Sequence, residues 1–165
     1  MKVIFLDVDG VLNDNHTTDR FFSEKEQRKY IGIDTDKVER LNKIVLATKA
    51  KIVLSSSWRK HSNFVDYLNS KLKEVDPLLP DKIIDVTPVH FSHCLRASEI
   101  EEYLDMRAKK LKITKFIILD DMQYDDLERF GESFFLTGWD KGLSEEIMSK
   151  CISFLNKRNK RTKVC

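Results

Sequence analysis

Glycine and proline are scarce in this chain, with 5 and 3 among 165 residues, and no stretch rich in Pro, Gly or Ser reads as a linker. Internal repeats and low-complexity runs are absent as well. Nothing therefore marks a second domain, and a chain of this length with 41% hydrophobic residues suits one domain with its own core, expected over 1–156. The three cysteines, Cys94, Cys151 and Cys165, are odd in number and lack C-x-x-C spacing, which argues against a disulfide framework and against a structural zinc site. No run approaches the roughly 18 apolar residues that span a bilayer, and the opening apolar run is too short for a signal sequence. A soluble, cytoplasmic, monomeric protein with no membrane partner is the expectation.

A large excess of charge is missing too, because the net charge is only +2. Its placement is uneven: Lys157, Arg158, Lys160, Arg161 and Lys163 put five positive charges into the last nine residues, so the rest of the chain is near −3. A basic tail over 157–165 can grip a phosphate backbone. A solvated, frayed end is the plain alternative.

What the chain does have is alternation. Short apolar runs, KVIFL (2–6), KIVLS (51–55), KIIDV (82–86), KFIIL (115–119) and SFFL (133–136), are separated by segments of helical periodicity near 36–48, 61–75, 98–111 and 144–156. In the first of these, Val38, Leu41, Ile44, Val45 and Thr48 share one face. Strands alternating with helices predict a three-layer α/β/α, Rossmann-like architecture around a parallel sheet. Ligands of such sheets bind outside the carboxyl ends of the strands.

Polar residues collect at those predicted ends. The first strand runs into Asp7-Val8-Asp9-Gly10, the second into Ser55-Ser56-Ser57-Trp58-Arg59, and the fourth into Asp120-Asp121. Four carboxylates in one crevice would raise one another's pKa unless a cation offset them. Mg²⁺ fits best, since it favours oxygen ligands and shares its coordination with substrate phosphate. No EF-hand loop is present for calcium, and no His or Cys is spaced for zinc. A metal beside a carboxylate suggests phosphoryl transfer through an aspartyl phosphate, with Asp9 placed to protonate the leaving alcohol and then activate water. The serines after the second strand suit the phosphoryl oxygens, and Arg96 offers a guanidinium.

FLDVDGVLN, VLSSS, Arg96 and ILDD, in that order, resemble the four motifs of the haloacid dehalogenase-like (HAD) phosphatase superfamily. The resemblance spans residues 2–121 and implies a HAD fold with a minimal cap or none. It implies Asp7 as nucleophile and metal ligand, and Asp9 as general acid/base whose carbonyl also binds the metal. Asp121, with Asp120 beside it, completes the implied metal set, while Gly10, Ser55, Ser56 and Arg96 form the implied phosphate-binding set. Ser55 and Ser56 remain rivals, and Lys109, Lys110 and Lys112 compete with Arg96, because Lys is usual in the third motif. The second aspartate of D-x-D argues against dehalogenation. SSSWR, R-x-x-E-I and the late run Leu136, Thr137, Gly138 to Gly142, Leu143 further resemble small HAD domains of RNA-repair type.

A short segment at 10–35 leaves little room for a cap, and an open crevice suits a nucleotide or a nucleic-acid end, with the basic tail pointing the same way. A small metabolite, a phosphoprotein, or a non-catalytic phosphate- and nucleic-acid-binding role are the alternatives. Asn13, Trp58 and Arg59 lie close enough in sequence to contact substrate, although Asn13 and Asp14 are also expected to shape the loop. Trp58 and Trp139 are more often packing residues than stacking platforms. His16, His61, His90 and His93 read as surface residues, and Asp125 and Asp126 as residues favourable to a helix N-terminus.

Overall fold

The computed structural model describes residues 1–17, 32–90, 96–122 and 126–157. His93, Cys94, Asp125 and the tail from Arg158 to Cys165 lie outside the described residues, as does most of the segment where a cap would be inserted. Five strands, β1 (Lys2–Leu6), β2 (Lys51–Leu54), β3 (Ile83–Val86), β4 (Lys115–Asp120) and β5 (Phe134–Leu136), form one sheet in the order β3-β2-β1-β4-β5. Every pairing is parallel. The described helices are α1 (Thr35–Thr48), α2 (Ser62–Val75), α3 (Arg96–Leu111) and α4 (Glu145–Asn156).

The period of two along β1 sorts its side chains into two layers. Ile4 and Leu6 pack with Val38 and Leu41 of α1, Leu68 of α2 and Met148 and Cys151 of α4. Val3 and Phe5 face the other way, toward Ala97, Ile100 and Tyr103 of α3 and Leu127. Helices thus cover both faces, as the apolar strands predict. The edge strands depart from that pattern, since Ile84 and Val86 of β3 and Leu136 of β5 are partly exposed. With a neighbour on one side only, these strands are covered less.

Chain order fixes where a crevice must open. β1 to β3 step outward in one direction, and α3 then carries the chain back across the opposite face to β4 on the other side of β1. That reversal makes the carboxyl ends of β1 and β4 the switch point of the sheet. Asp7 follows β1 directly and Asp120 closes β4.

The centre of the sheet should govern stability. Phe5 is fully buried, edge-on to Tyr103 and Phe116 at ring-centroid distances of 5.6 and 5.7 Å. Phe5→Ala is expected to lower unfolding free energy by about 3–5 kcal/mol in urea titrations. Met106→Ala, at a position 55% exposed, should change it by no more than about 0.5 kcal/mol.

Candidate active site

Parallel register delivers the acidic residues together. The Asp7 amide donates to the Leu119 carbonyl at 2.9 Å, which holds the end of β1 level with the end of β4. Asp7, Asp120 and Asp121 consequently offer carboxylate oxygens that all lie within 4.8 Å of one another. Asp7 and Asp120 are buried and Asp121 is half-buried. Burial pushes the Asp7 carboxyl above its usual range, against the pull of Arg96 and the Ser56 hydroxyl. Asp120 is pushed up to about 7 and Asp121 to about 6, in both cases by burial first and the Asp7 charge second.

These groups fit a divalent cation. One oxygen of Asp120 accepts from the Met122 amide at 3.0 Å, whereas Oδ2 is buried without a hydrogen-bond donor. A set of hard oxygen ligands with an unsatisfied buried oxygen is the chemistry Mg²⁺ meets. Asp9 is not part of the cluster. Its carboxylate accepts from the Trp58 indole Nε1 at 2.8 Å and from the Asn13 amide at 3.1 Å. Two aspartates on one turn therefore occupy two different environments.

Arg96 opens α3 at the crevice. Its guanidinium lies 3.7 Å from Asp120 and 4.0 Å from Asp7, and Nη1 is buried with no partner. Lys109 and Lys110 stand in the last turn of the same helix, about 20 Å away at 1.5 Å per residue, and Lys112 follows its end. These lysines are not the crevice cation. The two serines also differ: the Ser56 hydroxyl helps to lower the Asp7 pKa and accepts from the Trp58 amide at 3.3 Å, while the buried Ser55 hydroxyl has no partner.

Four assignments need correction. Arg59 is not available to substrate, because its side chain is only 1% exposed and pairs with Glu99 at 2.7 Å. Its other donors go to the carbonyls of Ser55, Ser56, Thr87 and Pro88, so it braces the serine turn from beneath. Trp58 is 4% exposed and packs on Phe64 and Tyr67, with its one polar atom turned to Asp9. Asn13, also buried, accepts from the Gly10 amide at 2.7 Å and donates to Asp9 and the Gly32 carbonyl. Gly10 cannot offer that amide to phosphate. Its role is conformational: φ is +67°, and a Cβ there would run into the Asp121 carboxylate.

The partners of several supporting residues escape sequence reasoning. Thr137 donates its hydroxyl to the Gly10 carbonyl at 2.7 Å, and the Leu143 amide donates to Val11 at 2.8 Å. The late Thr-to-Leu run thus clasps the loop after β1, and Gly142, at φ +57°, lets Lys37 and the Asn13 carbonyl approach. Lys37 is buried and bridges Asp14 and Asp34 at 2.7 and 2.6 Å. Burial opposes ionisation of Asp14, but the Lys37 and Thr17 donors outweigh it and hold its pKa down. Asp126 accepts from the Ala97 amide at 3.1 Å, capping α3 and not a helix of its own. Of the described histidines, His16 and His61 are exposed and His90 pairs with Glu102 at 2.7 Å.

A family described as "HAD domain in Swiss Army Knife RNA repair proteins" matches residues 3–148. No curated protein and no solved structure gives a match. Among the described residues, no helix is long and apolar enough to cross a membrane.

The raised carboxyl pKa values set a pH dependence. Between the unfolded value near 3.8 and about 7, the metal-free folded state binds more protons than the unfolded chain through Asp120. Stability must then fall as pH rises through that window. Thermal melts of metal-free protein should show this decline, and added Mg²⁺ should raise the midpoint more at pH 7.5 than at pH 5.

Proposed function

Since the chain belongs to the family of HAD domains in Swiss Army Knife RNA repair proteins, with the phosphatase-like role that family implies, we propose that it hydrolyses phosphomonoesters with Mg²⁺ bound. Its substrate is the terminal phosphate of a nucleotide or nucleic acid. The observation that carries this reading is the division of labour on the first turn. Asp7 faces the acidic cluster, and Asp9 is turned away from it by Trp58 and Asn13.

The chemistry follows from that division. A carboxylate oxygen of Asp7 attacks phosphorus, the bond from phosphorus to the leaving alcohol breaks, and Asp9 gives its proton to the departing oxygen. In the second half, Asp9 takes a proton from water as that water attacks the aspartyl phosphate. The Asp7–phosphorus bond then breaks, releasing phosphate. Asp7, Asp120 and Asp121 would hold Mg²⁺, with the Asp9 carbonyl as a further ligand, and the ion would offset phosphate charge. Arg96, with a free donor, and the serine pair, of which Ser55 has an unpartnered hydroxyl, bind the phosphoryl oxygens. Arg59 holds the serine turn so that this set is in place before substrate arrives.

Two variants test the reading. Asp7→Asn should abolish Mg²⁺-dependent phosphate release, because an amide cannot form the acyl phosphate, and retained turnover would overturn the assignment. Trp58→Phe keeps the ring stack but removes the donor to Asp9. Its kcat/KM, which reports only the step that expels the alcohol, should fall about 10- to 100-fold on alkyl and nucleoside phosphates, whose leaving oxygens need the proton. On an aryl phosphate with a good leaving group it should change little. An equal fall on both classes would mean that Trp58 only supports the fold.

A further inference from the structure

At the end of the sheet opposite the crevice, lysine recurs at nearly every strand start. Lys2 opens β1, Lys51 opens β2 and Lys115 opens β4, while Lys82 immediately precedes β3. Lys2 pairs directly with Lys115 in the register, and Val3 pairs with Lys51. Ile52 pairs with Ile83, which brings Lys51 level with Lys82. With adjacent strands about 4.8 Å apart, these four residues form a row roughly 14 Å long.

Further lysines thicken the row. Lys49 and Lys112, both exposed, sit on the turns that lead into β2 and β4. Lys49, Lys51 and Lys82 line one shallow cavity of about 330 Å³. Lys115 donates to the carbonyl of the exposed Lys157 at 2.8 Å, and Lys2 donates to Asn156 at 2.7 Å. Among the described residues, none of these seven lysines forms an ion pair. Burial lowers the Lys115 pKa, and the neighbouring charges of Lys157 and Lys2 lower it further.

Helix dipoles do not account for so much charge. The described helices α1 to α4 end here, at Thr48, Val75, Leu111 and Asn156, and each C-terminus carries about half a negative charge, near two in all. Seven lysines exceed that severalfold. Glu132 is the acid that acts on Lys115, and Asp81 precedes Lys82. An anionic bilayer would call for an apolar face to insert, but the exposed apolar residue of the lysine-lined cavity is Leu46 alone.

We propose that this lysine row is a sequence-independent RNA-binding surface, separate from the catalytic crevice, that holds the sugar-phosphate backbone of the substrate. The choice of a nucleic acid rests on the reading given under Proposed function, and that of RNA on the matched family of RNA repair proteins, whereas the polyanion character rests on the row itself. Lysines at strand spacing present point charges to phosphates and carry no base readout. The six residues of β4 separate row from crevice by roughly 20 Å, so an RNA of several nucleotides could engage both ends.

The test measures fluorescence anisotropy of a labelled single-stranded RNA 20-mer with hydroxyl ends, which denies the crevice a terminal phosphate. The quadruple variant Lys2→Gln, Lys51→Gln, Lys82→Gln, Lys115→Gln should bind at least tenfold more weakly. Its slope of log K against log salt should be shallower by about 3, for four lost phosphate contacts. Lys49→Gln with Lys112→Gln, at exposed positions, should weaken binding in the same direction with an unchanged thermal midpoint. Hydrolysis of a small aryl phosphate should be unchanged in both, so the row can fail while the phosphatase reading stands, and the reverse. Unchanged RNA affinity in both variants would overturn the proposal. So would loss of binding on deleting 158–165 with no effect of the row, or loss of binding only to phosphatidylserine vesicles.

Discussion

Mutual repulsion among Asp7, Asp120 and Asp121 is the constraint around which the rest of this molecule is arranged. Three carboxylates within 4.8 Å, two of them buried, would drive themselves apart or take up protons if nothing opposed them. The parallel sheet supplies the opposing rigidity, because the backbone bond from Asp7 to Leu119 locks the two strand ends together. Arg96 supplies part of the opposing charge, at distances too long to satisfy either aspartate fully. The remaining deficit of positive charge is what a cation would fill.

Rigidity around this edge is built largely from buried polar groups. Arg59 ties the serine turn to the segment after β3 and to Glu99 of α3, and so links three elements through one guanidinium. Lys37 does the same between α1 and the loop after β1. Breaking such pairs leaves an uncompensated buried charge, so each constrains geometry more firmly than an exposed pair could. Asp9 inherits its orientation from this framework through Trp58, whose turn Arg59 braces.

Much of the fold was legible because it depends on local pattern. The apolar runs and helical faces fall within one or two residues of the observed elements, since the central strands are buried enough to demand a continuous apolar run. Asp7, Asp120, Asp121 and Arg96 were legible as a group because parallel topology gathers strand ends. The direction in which a side chain points was not. Arg59 and Trp58 follow the serine turn in sequence, yet the 3₁₀ turn at Ser57–Lys60 sends both inward. Thr137, Lys37 and Asp126 act across more than twenty residues of sequence, and no local spacing reports such partners. The lysines at the strand starts look unremarkable singly and form a row only once the strand order is known.

The indole hydrogen bond to Asp9 also turns the protein into its own optical probe. The chain has two tryptophans, one 4% exposed against the acidic turn and the other, Trp139, 54% exposed. A soluble quencher will silence Trp139 first, leaving emission that reports on a single carboxylate. Any event that moves Asp9 or changes its charge is then readable by light, without a label and without turnover.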